Sequence, residues 1–530
     1  MSIFSLPSEC FCDIFSFLEN IYLYNCLFVN RQWCMLAIPV LWKDPFKIYS
    51  HFKPKLINTL LSCLNEVETS SLIPFAINLP KNQNPLFEYG KFIEIIDQEY
   101  IEKNVICWLK LSNENVSYDN IFEDKRVQCL INVIYHVVIR QGLNLQEFDI
   151  CIDNKIDMLF VKDLVQHEGI TNLRTLHLGL KVNKIKRKND NVSHTKTFLT
   201  QLPILCQKIV NLNLYIHKLN IHFVSLISYL IKSQPLERIY IYNRSSKVNV
   251  NEIIYAFMLR SKTLKMLSFQ FMNLEKIDLS FILKLECLEM LEFSNCVDFE
   301  LYQHCDVFNN NFQLKELRLL HNNLYRGFND VNIRLDVIKT MINSLCGRSL
   351  CKLTLNIVTL GIIKVIKESC PNISYLNILI IPELFQDSII LNICYLSSLK
   401  ILVIKKTTNC DIDNTIAKIL GDKLTNVEHL YLGLSIDLLS FEYFTINCKA
   451  DLKKLGFVTD EYNSDVDKSF LKDYLICLSN YNKVHKSLKI LDINGAWTLY
   501  SGKIDWRSEE LEIVTSLENQ GVQLISEWCV

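Results

Sequence analysis

The chain has 530 residues, a formal charge of −1 and 49% apolar residues, with only 13 Gly and 11 Pro. Such poverty in Gly and Pro excludes collagen-like and low-complexity disordered classes. It also argues against Gly-rich phosphate loops, which cluster glycines so that backbone can approach a phosphate. With 56 Lys+Arg against 57 Asp+Glu, no global pull toward nucleic acid or an acidic membrane is expected.

The 20 cysteines are scattered and not framed by short regular spacings. They read as reduced, buried thiols that behave as small hydrophobes. The first basic residue is Arg31, and Glu9, Asp13 and Glu19 interrupt the apolar opening, which is not the pattern of a secretory leader. No apolar run reaches the ~18 residues of a spanning helix. The richest stretch, 129–139, carries Asn132 and His136. The expected location is cytoplasmic and/or nuclear, with neither membrane nor nucleic acid as a partner.

Residues 6–18, LPSECFCDIFSFL, open with Leu6-Pro7 and continue as an amphipathic helix, with Ser8 placed as its N-cap and Leu18 at its end. In YNCLFVNRQWCMLAIPVLWKDPF (24–46), Leu27, Val29, Trp33 and Trp42 give a second apolar set. Three helices in so short a span cannot bury a full core alone, so another surface must cover the remainder. Whether Trp33 and Trp42 pack within the chain or meet a partner stays open at this stage. Farther on, Ile57, Leu60, Leu61 and Leu64 form a helical face, 78–85 (NLPKNQNP) reads as a loop, and 127–140 reads as a buried helix able to cap an array.

From residue 145 a pattern L-x-x-L-x-L recurs, with Ile, Val or Phe allowed at the apolar places. Its thirteen copies run from Leu145/Phe148/Ile150 to Leu488/Leu491/Ile493. Their spacing averages about 29 residues, the upper end of the leucine-rich-repeat range. A short strand with apolar residues at alternate places needs a neighbour to bury them. Helix-period runs lie between the copies. One carries Val224, Ile227 and Ile231 on one face, and another opens at Asn251 as an N-cap. The three longest intervals predict surface loops at 181–191, 321–332 and 459–469. The fold class is therefore α/β: a three-helix N-terminal module, then a curved horseshoe of about 13 strand–helix repeats.

No GxGxxG, Walker-type loop, HExxH, GxSxG or C-x-x-C occurs. His304-Cys305 and His217/His222 read as ordinary residues, not as a dyad or ligands. The acidic run Asp460, Asp465, Asp467 lacks the glycine of an EF-hand. The basic run Lys184, Lys186, Arg187, Lys188 reads as a surface loop. The expectation is no enzyme, no cofactor and no metal. Between the apolar places of each copy, three polar positions face the open side of the sheet. Among them Tyr215, Tyr240, Tyr242, Arg318 and Tyr431 form the candidate substrate face, because Tyr and Arg are favoured binding anchors.

The N-terminal segment resembles an F-box. The resemblance rests on Leu6-Pro7, Ile14-Phe15 and Leu18, then Val29-x-x-x-Trp33 and Leu41-Trp42, and it is similar to members of large fungal expansions. An F-box followed by leucine-rich repeats looks like the substrate receptor of a Skp–cullin–F-box ubiquitin ligase. The resemblance implies an F-box over 1–46, a helical linker and cap over 47–140, and a repeat solenoid over 141–530. It implies a Skp-type adaptor, and through it a cullin, as partners of the F-box, with an unknown protein substrate on the repeats. Leu6, Pro7, Ile14, Phe15, Leu18, Leu27 and Val29 would then touch the adaptor. A repeat scaffold or inhibitor without ligase role is the alternative, and a GTPase-activating repeat protein a remoter one.

Overall fold

A computed structural model describes residues 7–47, 54–79, 85–111, 124–142, 144–153, 168–181, 191–218, 221–243, 250–274, 277–297, 314–320, 338–343, 348–407, 412–458, 470–494, 506 and 508–525. The chain forms two units, Met1–Lys265 and Met266–Val530.

In the first unit, helices α1 (Ser8–Ser16), α2 (Asn20–Cys26) and α3 (Arg31–Leu41) form the N-terminal module. Ser8 is the first helical residue and Pro7 takes the cap position without a side-chain bond, so the expected Ser8 cap is not made. Asn30 does cap α3, its Oδ1 accepting from the Trp33 amide at 2.8 Å. Helices α4 (Pro54–Leu61), α5 (Glu66–Leu72), α6 (Gln98–Leu111) and α7 (Lys125–Gln141) follow. Ile57, Leu60 and Leu61 are buried, as are Val127, Leu130, Ile131, Ile134 and Val138 along α7.

Strands β1 (Ile95–Asp97), β2 (Glu147–Asp153), β3 (Thr175–Lys181), β4 (Asn211–Lys218) and β5 (Arg238–Asn243) lie parallel, in sequence order. The repeat register is kept across them, Phe148 opposite Leu176, Leu212 and Ile239 in turn. Among the described residues, the second unit holds ten parallel strands, β6 (Met266–Gln270), β7 (Met290–Ser294), β8 (Glu316–Leu320), β9 (Lys352–Leu355), β10 (Tyr375–Ile380), β11 (Ile401–Lys406), β12 (His429–Gly433), β13 (Lys454–Val458), β14 (Ile490–Asn494) and β15 (Gln523–Ile525). Leu353, Leu376, Leu402, Leu430 and Leu455 stand side by side there.

All thirteen copies read from sequence are strands, and their three apolar residues are buried throughout, Leu319 at 8% being the most exposed. Side chains alternate faces along a strand, so the intervening residues form rows on the opposite face. The helix Ile221–Ser233 buries Val224, Ile227 and Ile231. Asn251 begins its helix but does not cap it; Val250 holds that position with no side-chain bond.

Two strands fall outside the thirteen. In β1 the third apolar place is Gln98, tolerated when buried because its Oε1 accepts from the Cys151 amide at 2.7 Å. In β15, Leu524 pairs with Leu491 while Gly521, at φ 84°, stands where the first leucine would be. The long loops expected at 181–191, 321–332 and 459–469 lie almost wholly outside the described residues, as do Lys184–Lys188, His304-Cys305 and Asp460–Asp467.

Burial pushes the thiols of Cys206, Cys296, Cys370 and Cys394 up to about 12, so they act as small apolar groups. No helix among the described residues is long and apolar enough to cross a membrane.

Candidate protein-binding surfaces

The N-terminal module is built around Phe11, Phe15, Leu23, Cys26 and Ala37, with Leu18, Leu27, Trp33, Leu36, Val40 and Leu41 packed on them. Trp33 meets Phe15 edge-on at 5.3 Å and Phe11 at 5.7 Å. That small cluster consumes one side of each helix and leaves the rest uncovered. Phe17 is 88% exposed, Phe28 72%, Ile21 67%, Val29 55% and Ile14 47%. Tyr24 and Phe28 meet edge-on at 5.3 Å on the solvent side. Exposed apolar patches of this kind are characteristic of surfaces that bind other proteins.

Among residues expected to touch an adaptor, Pro7, Ile14 and Val29 are exposed, and Leu18 and Leu27 are half-buried. Phe15 is 1% exposed. It packs on Phe11 and Trp33 inside the module. Leu6 lies outside the described residues. Phe17, Ile21 and Phe28 lie outside the expected contact set yet are exposed. Phe17 lies three residues after Ile14, the helical spacing that would have flagged it.

The module's last residues join the sheet. The Lys43 carbonyl accepts from the amides of Glu94 (2.9 Å) and Ile95 (3.3 Å). The Glu94 carbonyl treats Gln146 and Glu147 alike, at 2.8 and 3.0 Å, and the Gln146 carbonyl treats Arg174 and Thr175 alike, at 2.8 and 2.9 Å. Lys43 therefore stands where a preceding repeat would stand, and Trp42 takes the place of its first leucine. Trp42 is buried with its ring tilted against Tyr89 at 4.4 Å, and Lys43 Nζ pairs with Glu94 at 2.9 Å.

A buried carboxylate ties the linking helices. Glu68 Oε2 accepts from the Asn65 amide at 2.7 Å, and Asn65 Oδ1 accepts from the Glu68 amide at 2.8 Å, a reciprocal cap on α5. From α7, Arg140 donates to both Glu68 oxygens at 2.9 Å and to the Cys63 carbonyl at 3.1 Å, and His136 pairs with Oε1. Burial alone would raise the Glu68 carboxyl; bonds from His136, Arg140 and the Asn65 amide outweigh it and hold the group at about 2.

On the open sheet face of the first unit, Tyr215 lies 5.7 Å from Tyr240 and 6.1 Å from Tyr242, ring to ring, and His217 lies 5.8 Å from Tyr242. The structure thus brings three of the five expected face residues together. Arg318 and Tyr431 belong to the second unit, on β8 and β12. Arg318 is partly exposed but engaged, with Nε 2.6 Å from Glu316 and a guanidinium nitrogen 3.6 Å from Glu292. Tyr431 is only 6% exposed, which takes it off the accessible face.

Residues 3–48 match the family model described as F-box-like. No curated protein matches the chain. A solved leucine-rich-repeat protein of Leptospira interrogans is similar, with 13% identity, 74% of this chain and 91% of that one covered, and a TM-score of 0.26. The F-box-like match at residues 3–48 is followed in the chain by the parallel strand–helix array described above.

Proposed function

We propose that this chain is a substrate-recognition adaptor of a Skp–cullin–F-box ubiquitin ligase. Its F-box docks on a Skp-type adaptor, which joins a cullin, and its repeats hold a protein for ubiquitin transfer. The chain makes and breaks no bond itself. It acts by proximity, raising the local concentration of substrate lysines near the charged conjugating enzyme. The observation that carries this reading is the uncovered apolar surface of α1, α2 and the turn after α2, within the segment that matches an F-box. The adaptor-contact set becomes Pro7, Ile14, Phe17, Ile21, Phe28 and Val29, with Phe15 supporting them from beneath. The strand-like seat of Lys43 on β1 supports a fixed aim of the F-box relative to the first repeats. The working compartment is the cytoplasm or nucleus, where such ligases act.

The test is co-expression of the full chain with a Skp-type adaptor, followed by size-exclusion chromatography. The wild type should co-elute. Phe17→Asp combined with Phe28→Asp should abolish co-elution while the chain stays monodisperse with unchanged circular dichroism. Wild-type chain that never co-elutes would remove the ligase reading in favour of a scaffold without ligase role.

A further inference from the structure

The open face of β1–β5 is polarised along the sheet. Asp97, Glu147 and Asp149 stand on β1 and β2, and the three tyrosines stand on β4 and β5. Between them the third row has no side chain at Gly179, which sits between Cys151 and Tyr215. A Cβ there would come within 3.0 Å of the Cys151 sulfur, so the gap is set by the close approach of two strands.

On this face Glu147 pairs with His177. His177 lies 3.2 Å from Glu147 through Nε2, and its Nδ1 meets the Asn213 side-chain amide at 2.9 Å. Asp149 is burdened by burial first. The nearby His177 eases it, while Asp97, Glu147 and Glu99 burden it further, and the balance raises its carboxyl to about 6. The same charge is felt across the gap by Tyr215, whose hydroxyl is raised by burial and then by Asp149. The one guanidinium on these rows among the described residues, Arg238, sits at the far strand and is exposed. No group of three or more described His, Cys, Asp or Glu side chains is arranged to hold a metal ion. The acids are strung along strands, the layout that suits side chains of an extended peptide and not one ion.

We propose that this face receives a basic segment of a partner protein, one Lys or Arg side chain lying over Gly179 with its charge at Asp149 and its stem against Tyr215. A cation relieves the crowded carboxylates, and the electron-rich tyrosine faces favour it further. The complementarity is of charge, and it gives specificity as well as on-rate. The proposal rests on the reading of the repeats as the substrate-holding part and narrows that substrate to proteins displaying a Lys/Arg-rich stretch.

The test pans a random decapeptide phage library on the full chain at pH 7.5 and ~50 mM salt. Retained clones should show at least threefold more Lys plus Arg than the naive library. A synthetic peptide of the leading clone should bind at least fivefold more weakly to Asp149→Asn. Its affinity should also fall with salt, and changing its basic residues to Glu should abolish binding. No retained clones, clones without a Lys/Arg excess, or unchanged affinity for Asp149→Asn would each overturn the proposal. Clones of another composition that lose binding on the Tyr215→Ala, Tyr242→Ala chain would overturn the basic class yet leave a substrate face. Adaptor co-elution is read separately, so failure of the F-box reading is distinguished from failure here.

Discussion

Strand β10 and helix α1 are both rich in apolar residues, but they place them differently. In β10, Leu376, Ile378 and Ile380 are all at or below 3% exposure, because each strand lends its neighbour a surface. In α1 and the residue after it, Phe11 and Phe15 are buried while Ile14 and Phe17 face water. The strand rows of the repeats close on one another, and the helices of the F-box-like module leave one side open. Fewer than fifty residues have too much surface for their volume to cover every apolar side chain. A side chain's burial thus separates stability from binding, and substitutions in the two regions should part along that line.

The largest effect should come from the two cores. Phe15→Ala should cost about 3–5 kcal/mol and Leu402→Ala about 2–5 kcal/mol, through lost transfer energy and the cavity left behind. Hydrogen exchange should localise each loss, to α1–α3 for Phe15 and to β10–β12 for Leu402. A loss spread evenly over the first unit after Phe15→Ala would mean that the module is not a separate cooperative element. Adaptor binding should fall for Phe15→Ala and persist for Leu402→Ala where both are folded.

Next comes Glu68, which joins the cap of α5 to α7. Its folded carboxyl sits near 2, below the ordinary 4.5, so its stabilisation is complete above the ordinary range and is lost as pH falls toward about 2. The amount is about 3 kcal/mol at neutral pH. Glu68→Gln should lower stability by that order at pH 7 and by little at pH 2.5, measured by urea denaturation. Equal losses at both pH values would show that packing, not charge, holds the joint.

Exposed apolar residues of the module should behave in the opposite way. Phe17→Ala should change stability by no more than about 0.5 kcal/mol. It should nevertheless weaken adaptor binding more than tenfold, by titration calorimetry, since buried aromatic anchors dominate interfaces. A stability loss near that of Phe15→Ala would erase the contrast between the two faces of α1.

Much of this division was legible in the residues. The alternation Leu488-x-x-Leu491-x-Ile493 states both a strand and its buried face, and thirteen such statements at near-regular spacing leave little freedom. Strand β1 escaped because Gln98 fills an apolar place, rescued by a hydrogen bond that no periodicity announces. The acid end of the open face was readable in part: Asp149 occupies the middle open place of the first copy. Its partner Asp97 was hidden with β1. Phe15, expected at the adaptor, is buried in the module, because an amphipathic pattern shows which residues share a side of a helix but not which side water sees. Tyr431 shows the same gap on the sheet, since a residue on the open face can still be covered by its neighbours.

The smallest effect should be at Glu428. Like Glu68, this carboxyl is held at about 2, first by the bond from Lys453 and then by that from Lys400, against slight burial. Unlike Glu68, it lies near the surface, where water screens the pair and the long lysine chains lose entropy on pairing. An equal depression thus translates into a different stability. Glu428→Gln should change stability by less than about 1 kcal/mol, should lose even that in 0.5 M salt, and should leave adaptor binding untouched. A loss as large as that of Glu68→Gln, unaffected by salt, would mean that the outer surface of the repeats carries weight that the contrast between closed repeats and open module denies it.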